Sequence, residues 1–271
     1  MPLNWIKPEE YSFNSFLLLE RFQLAMILEY SGWRNDKADW QRAMGIALKA
    51  NPAVAWYFKH RCPQHAATVD NLIKNAPETG DVRQAEIYAM SSVEDFITYT
   101  TPEVMAEKCD FIRGWSKERL YEIVDLNDKI VLDVGAGSGR LTFAAAEKAA
   151  WVYASEPVGT LREFMRNKIA KDGIKNIRVL DGLATELPFP DNTFDVVMSG
   201  HVVGDFWDEE IAELSRVCKP DGWLVDCPGD SLDDRKAEPE LTNRGWEEIH
   251  YIGSFGKDVH CYRKRNIKKT S

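Results

Sequence analysis

The sequence predicts an α/β protein: a parallel sheet covered by helices on both faces and closed by a carboxyl-terminal antiparallel hairpin, preceded by a helical amino-terminal region. Three observations carry this expectation. After Asn127, short apolar runs alternate with helical stretches, as in strands buried on both faces. The first of these runs opens onto a glycine-rich turn. Before Asp128, apolar residues recur instead at helical spacing. The expected organisation is therefore a helical lid or substrate region over 1–128, a ligand-binding domain over 129–265 and a basic tail over 266–271.

In chain order, Ser15 to Tyr30 places Phe16, Leu19, Met26, Ile27 and Tyr30 near helical spacing, with Gly32 as the expected stop. Asp36 to Ala50 reads as a second helix. It ends at Asn51-Pro52, since a residue before proline avoids helical geometry. A third helix runs to about Arg61, and after the Cys62-Pro63 break Ala66, Val69, Leu72 and Ile73 mark an amphipathic helix that stops before Pro77. Thr101-Pro102-Glu103 starts another, with a hydroxyl cap, a first-turn proline and an acid at the positive dipole end. The sheet region then offers strands at Ile130 to Val134, Trp151 to Ser155, Ile177 to Leu180, Phe194 to Met198 and Trp223 to Asp226. Helices are expected at Gly139 to Lys148, Val158 to Lys171 and Asp208 to Cys218. Trp246 to Ile252 and Val259 to Arg263 form the hairpin.

Composition narrows the function classes. Hydrophobic residues at 44% and charged residues at 28% are ordinary globular usage, which excludes disordered, collagen-like and membrane-embedded chains. The apolar stretch Phe16 to Tyr30 is broken by Glu20, Arg21, Gln23 and Glu29, so it reads as a soluble helix, and no membrane partner is expected. A net charge of -9 argues against a nucleic-acid partner, because phosphate binders present basic surfaces. The run Arg263 to Lys269 reads as a solvated terminus. Five scattered cysteines without a Cys-x-x-Cys pair point to a reducing, cytoplasmic setting. His60, Cys62 and His65 straddle a proline break and make a poor ligand set, so no metal is expected.

The glycine-rich turn carries the ligand argument. In Val131-Leu132-Asp133-Val134-Gly135-Ala136-Gly137-Ser138-Gly139-Arg140 a buried strand runs into glycines that let the backbone approach a ligand closely, followed by the unpaired N–H groups of a helix start. A dinucleotide fold would want Gly-x-Gly-x-x-Gly, and Arg140 occupies the position where that pattern would need its last glycine.

This stretch resembles the first motif of the class I S-adenosylmethionine-dependent methyltransferases, and further motifs follow in order over Lys129 to Arg265. Glu156, in Ala154-Ser155-Glu156-Pro157, stands where that family places a ribose-binding acid. Leu187 to Val197 resembles the family's loop into its fourth strand, and Cys218-Lys219-Pro220-Asp221-Gly222-Trp223 its turn into the fifth. The resemblance implies a Rossmann-like fold, S-adenosylmethionine as cofactor and S-adenosylhomocysteine as product. It further implies cofactor contacts from Asp133, Gly135, Ala136, Gly137, Glu156, Pro157 and Ser199, with Tyr99 as the aromatic residue folding over the cofactor. At the third strand the family's Gly-Asp-Ala is replaced by Asp181-Gly182-Leu183-Ala184. Either Asp181 reaches the adenine edge, or the backbone of Gly182 and Leu183 reads it.

Methyl transfer is an in-line displacement in which the protein orients the nucleophile and excludes water. If a base is used, His201 and Asp205, just after the fourth strand, are the candidates; a structural histidine and a capping or solvated carboxylate are the plainer readings. The segment Pro228 to Gly245 is too short for an inserted lid, which leaves substrate choice to the amino-terminal aromatics Trp5, Trp33, Trp40, Trp56, Tyr57, Phe58, Tyr88, Phe96, Tyr99 and Trp115. Most of these are expected to hold helices together. The expected function is methylation of a small-molecule acceptor; the alternative is a non-catalytic S-adenosylmethionine-binding sensor or partner subunit.

Overall fold

A computed structural model describes residues 7–30, 36–91 and 101–268. They divide into two compact units, Met1–Thr101 and Pro102–Ser271.

The first unit is helical. Helices Arg21–Tyr30, Lys37–Ala50, Pro52–Arg61, Ala66–Lys74 and Val82–Ser91 surround a core of Phe13, Phe16, Trp40, Met44, Leu48, Phe58 and Met90. Gly45 lets two helices touch, since a Cβ there would lie 2.3 Å from the Leu72 carbonyl oxygen. The single helix expected over 15–30 is instead a 3-10 segment, Phe13–Leu18, followed by a break. Ser12 caps the start of the 3-10 segment by accepting the Asn14 N–H, and at the break the Gln23 side-chain oxygen accepts the Glu20 N–H at 2.8 Å, capping the second segment. Helix Val82–Ser91 lay outside the sequence expectation. Trp40 and Phe58 are core residues, whereas Trp56 is exposed and stacks on His60 at 4.6 Å. Trp5, Trp33, Phe96 and Tyr99 lie outside the described residues.

The second unit starts at Pro102, so helices Pro102–Lys108, Asp110–Arg113 and Glu118–Ile123 belong with the sheet although the sequence reading grouped them with the amino-terminal region. Seven strands follow: β1 (Ile130–Val134), β2 (Trp151–Ser155), β3 (Ile177–Leu180), β4 (Phe194–Ser199), β5 (Cys218–Asp226), β6 (Glu247–Ile252) and β7 (Asp258–Arg265). Their order is β3-β2-β1-β4-β5-β7-β6. The first five pair in parallel, and β7 enters antiparallel between β5 and β6. Helices Arg140–Ala146, Gly159–Asp172 and Trp207–Val217 complete the crossovers. Val131, Val152, Val196 and Val225 face one side of the sheet, while Leu132, Val197 and Leu224 face the other, so both faces are buried.

The expected turn before the fifth strand is a bulge inside it. Phe194 pairs with Cys218 and Val196 with Trp223, which leaves residues 219–222 looped out. Asn266, at the start of the expected tail, anchors this bulge: its side-chain amide donates to the carbonyls of Ser215, Cys218 and Lys219 at 2.9, 2.9 and 3.2 Å. Among the described residues, no helix is long and apolar enough to cross a membrane.

Candidate functional site

Strand order reverses between β1 and β4, and an open α/β sheet binds ligands in the crevice at the carboxyl ends of the strands flanking such a reversal. The glycine turn after β1 lies there. Gly135, Gly137 and Gly139 have φ of 63°, 58° and 93°, a region costly for residues with a Cβ. The Gly135 and Ala136 amides donate to the Ser155 carbonyl at 2.8 and 3.1 Å, which ties the turn to the end of β2. Space is equally restrictive: a Cβ on Gly135 would sit 2.3 Å from Val202 Cγ2.

Glu156 continues from β2 into this turn. Its Oε2 accepts the Gly137 N–H and its Oε1 the Val158 N–H, both at 2.8 Å. The following proline favours extended backbone at Glu156, and Pro157 itself is half-buried. Burial raises the Glu156 carboxyl to about 7 against the pull of those two amides and Arg162. Asp133 is buried under the turn, accepts the Thr142 hydroxyl at 2.6 Å and is likewise raised by burial to about 7. Two buried carboxyls thus brace the loop from below and from the side.

Asp181 is exposed and pairs with Arg162 at 3.2 Å; the same guanidinium donates to the Glu156 carbonyl at 2.7 Å. Gly182 is the closely packed member of this loop, because a Cβ there would meet Ser155 Oγ at 2.5 Å, and its carbonyl accepts the Ser155 hydroxyl. Leu183 forms a one-residue bridge with Glu186. Ser199, fully buried at the end of β4, donates to Asp226 Oδ1 at 3.2 Å, and burial holds that carboxyl up at about 6.

His201 has a φ of 65°, in the left-handed region that non-glycine residues rarely adopt. Its ring lies 4.6 Å from the Phe111 ring. The two Arg235 Nη atoms lie 3.3 and 3.0 Å from Nδ1 and Nε2. In-plane lone pairs on the two ring nitrogens diverge, so one guanidinium reaches both only by lying across the ring face. Crowding of the ring, then the charges of Arg235 and Arg140, hold His201 well below the ordinary histidine value. Since the residue as a whole is exposed, the two positive neighbours are the sturdier cause. Asp205 is exposed in the same loop, and the buried carboxylate beside that loop is Glu210, from the helix Trp207–Val217, which accepts the Gly204 N–H at 2.8 Å.

Three contributors escaped the sequence reading. Met105, from helix Pro102–Lys108, places its Cε 3.4 Å from where a Gly137 Cβ would stand. Arg140 turns from the glycine loop towards β5: its Nη2 donates to the Cys227 carbonyl at 2.6 Å and its guanidinium sits 4.5 Å over the Trp115 ring. Arg235 comes from the segment after β5, which docks through Leu232 N–H and the Ser231 hydroxyl on Asp110. A residue directly after the third glycine marked Arg140; Arg235, within Asp-Asp-Arg-Lys, is indistinguishable from a solvated charge. Tyr99 lies outside the described residues. Among the described residues, no group of three or more metal-ligating side chains converges.

The cradle fits an adenosyl cofactor: a glycine turn open to a backbone-close ligand and a fixed carboxylate whose oxygens each retain lone-pair capacity for a diol. Residues 132–226 match a family profile described as a methyltransferase domain. Among curated proteins, a probable histone-arginine methyltransferase, CARMER, of Drosophila melanogaster is 27% identical over 243 residues, 84% of this chain and 45% of its own length. The histone-arginine methyltransferase CARMER of Drosophila persimilis is 29% identical over the same shares. The chain therefore spans under half the length of these relatives. A solved S-adenosylmethionine-dependent methyltransferase from Aquifex aeolicus, 22% identical, covers 60% of this chain and 95% of its own at a TM-score of 0.47.

Proposed function

We propose that this chain, whose residues 132–226 match a methyltransferase domain, is a class I S-adenosylmethionine-dependent methyltransferase that methylates a small-molecule acceptor. The observation that carries the cofactor assignment is the Glu156 carboxylate fastened to the Gly137 and Val158 amides beside the glycine turn. In this reading Glu156 accepts both ribose hydroxyls, Gly135, Ala136 and Gly137 line the methionine portion, and Asp133 holds the turn through Thr142. Pro157 flanks the ribose. Gly182 and Leu183 read the adenine through their backbone, because Asp181 is engaged by Arg162. Ser199 forms the floor at the end of β4. When bound, the cofactor supplies an activated methyl group on a sulfonium, so the chain has to orient the acceptor and exclude water.

In this reading His201 and Asp205, in the loop after β4, lie on the acceptor side. A histidine with a strongly lowered pKa stays neutral at pH 7 and is a weak proton acceptor. His201 therefore suits an acceptor that needs little deprotonation, or acts by fixing the acceptor's orientation. The acidic overall charge argues against nucleic-acid acceptors, and five free, buried cysteines suit a reducing cytoplasm.

Calorimetric titration with S-adenosylmethionine, S-adenosylhomocysteine and NAD tests the reading. Binding of the two sulfur nucleosides alone supports it; binding of NAD alone overturns it. Cofactor binding without turnover of any acceptor in a broad small-molecule screen would favour the non-catalytic alternative.

A further inference from the structure

Cys227 directly follows β5. The antiparallel register that sets Val225 opposite Arg263 and Asp226 opposite Tyr262 carries on to place Cys227 opposite Cys261 of β7. Both side chains lie in the core formed with Leu126, Val225 and Val259, and neither residue is exposed. The Cys261 thiol donates to the Cys227 sulfur at 3.9 Å, and both are free thiols. Directly opposed residues in an antiparallel pair hold their Cα atoms about 4.5–5.5 Å apart, inside the range a disulfide spans. Cys218, the third cysteine of the sheet, stands at the other end of β5, and its thiol faces the Trp223 carbonyl.

The pair adjoins the crevice. The Cys227 amide donates to the Ser199 carbonyl at 2.8 Å, and the Cys227 carbonyl accepts Arg140 Nη2 at 2.6 Å. A Cβ on Gly200 would lie 2.5 Å from that carbonyl, so the backbone just before His201 packs directly on Cys227. The hydrogen bond from Cys261, aided by the Arg140 charge, holds the Cys227 thiol below its ordinary value against the opposing effect of burial. Cys227 is therefore the better attacking sulfur.

Resting on the methyltransferase reading for its effect on the cofactor, we propose that Cys227 and Cys261 form a thiol–disulfide switch, closed by a peroxide and opened by a dithiol, that loosens the crevice when oxidised. The Cys227 thiolate attacks the peroxide O–O bond and becomes a sulfenic acid; the departing hydroxide takes up the thiol's proton and leaves as water. The Cys261 thiol then attacks that sulfur, forming the S–S bond and releasing the sulfenic oxygen as a second water. Two thiols are oxidised by two electrons while one peroxide is reduced to two waters. Closure brings sulfurs 3.9 Å apart to about 2 Å, drawing Cys227 towards β7 and away from Ser199 and Arg140. Cys227 also leads into the 228–238 segment, which docks on Asp110 through the Leu232 amide and the Ser231 hydroxyl, so local opening there admits a small oxidant.

The test is to treat reduced wild-type protein with hydrogen peroxide and follow it by intact mass, peptide mapping without reduction, and calorimetry with S-adenosylhomocysteine. The expected product has lost the mass of two hydrogens, carries a Cys227–Cys261 cross-link and reverts with dithiothreitol. Its S-adenosylhomocysteine affinity should fall threefold or more and recover on reduction. The double variant Cys227→Ala with Cys261→Ala should show the same affinity before and after peroxide, which separates the switch from oxidation elsewhere. No cross-link, a cross-link through Cys62, Cys109 or Cys218, a cross-linked protein of unchanged affinity, or an equal peroxide-dependent loss in the double variant overturns the inference while leaving the cofactor reading intact. Should the reduced protein fail to bind S-adenosylhomocysteine, the cofactor reading falls and the switch with it, whereas the mapping still decides the disulfide.

Discussion

The Glu156 carboxylate accepts the Gly137 amide at 2.8 Å, joining the acid at the end of β2 to the glycine turn after β1. One side chain therefore sets the shape of the turn and is positioned to receive a ribose. Glu156→Gln retains the size but loses the charge, and Glu156→Ala removes both backbone hydrogen bonds. Either should weaken S-adenosylhomocysteine binding, the alanine by roughly 1.5–3 kcal/mol, the range for hydrogen bonds to a charged group. Wild-type affinity of Glu156→Ala in calorimetry would remove Glu156 from the site.

The pH dependence has a definite sign. With the folded Glu156 carboxyl at about 7, a diol that prefers the ionised form binds more tightly as pH rises from 6 to 8 and loses up to about tenfold per unit below the pKa. Asp133 titrates in the same range, so Glu156→Gln separates the two by flattening the profile. Stability without ligand runs the other way. A carboxyl raised on folding contributes stability below its unfolded value that is lost as pH rises through about 7. Unliganded Glu156→Gln should therefore gain melting temperature relative to wild type between pH 5 and pH 8. A constant difference would show that Glu156 does not titrate there.

Gly135→Ala faces two separate penalties. Its φ of 63° costs an L-residue about 1–2 kcal/mol, and its Cβ would overlap Val202 Cγ2 at 2.3 Å. The variant should melt lower and bind S-adenosylhomocysteine more weakly. Adding Val202→Ala relieves the contact but not the backbone strain, so the double variant should recover part of the loss, a coupling that a thermodynamic cycle would reveal. Independent, additive effects would place the two residues out of contact.

Much of this architecture was legible because each signal was local. Strands β1, β2 and β3 are short apolar runs bounded by turn residues, and their limits match the expectation to the residue. The spacing of Gly135, Gly137 and Glu156 was readable for the same reason: backbone geometry demands particular residue types at those positions. Contacts made across sequence distance were not readable. Arg140 reaches Cys227, and Arg235 reaches His201, through the pairing of β4 with β5 and the docking of the 228–238 segment on Asp110. Nothing in the composition around Arg235 separates it from a solvated charge. The break at Leu19 and Glu20 escaped because apolar spacing continued across it, while the side chain of Gln23, three residues on, decided it.

Asn266 offers a test of the fold that should leave the site untouched. Its side-chain amide has two hydrogens shared among three carbonyls, those of Ser215, Cys218 and Lys219, and it is only 5% exposed. Its backbone is paired as well: the Asn266 amide donates to the Gly222 carbonyl, and the Asp221 amide to the Asn266 carbonyl, at 2.9 and 3.0 Å. The side chain thus closes the bulge in β5 from the far end of β7. Asn266→Ala leaves three carbonyls without that donor, at a cost of about 1–3 kcal/mol. Asn266→Asp is worse, because an ionised carboxylate would face carbonyl oxygens that repel it. The melting temperature should fall in the order wild type, alanine, aspartate, with S-adenosylhomocysteine affinity unchanged at temperatures where each variant is folded. Were alanine to melt with wild type, the bulge would be held by its backbone pairs alone.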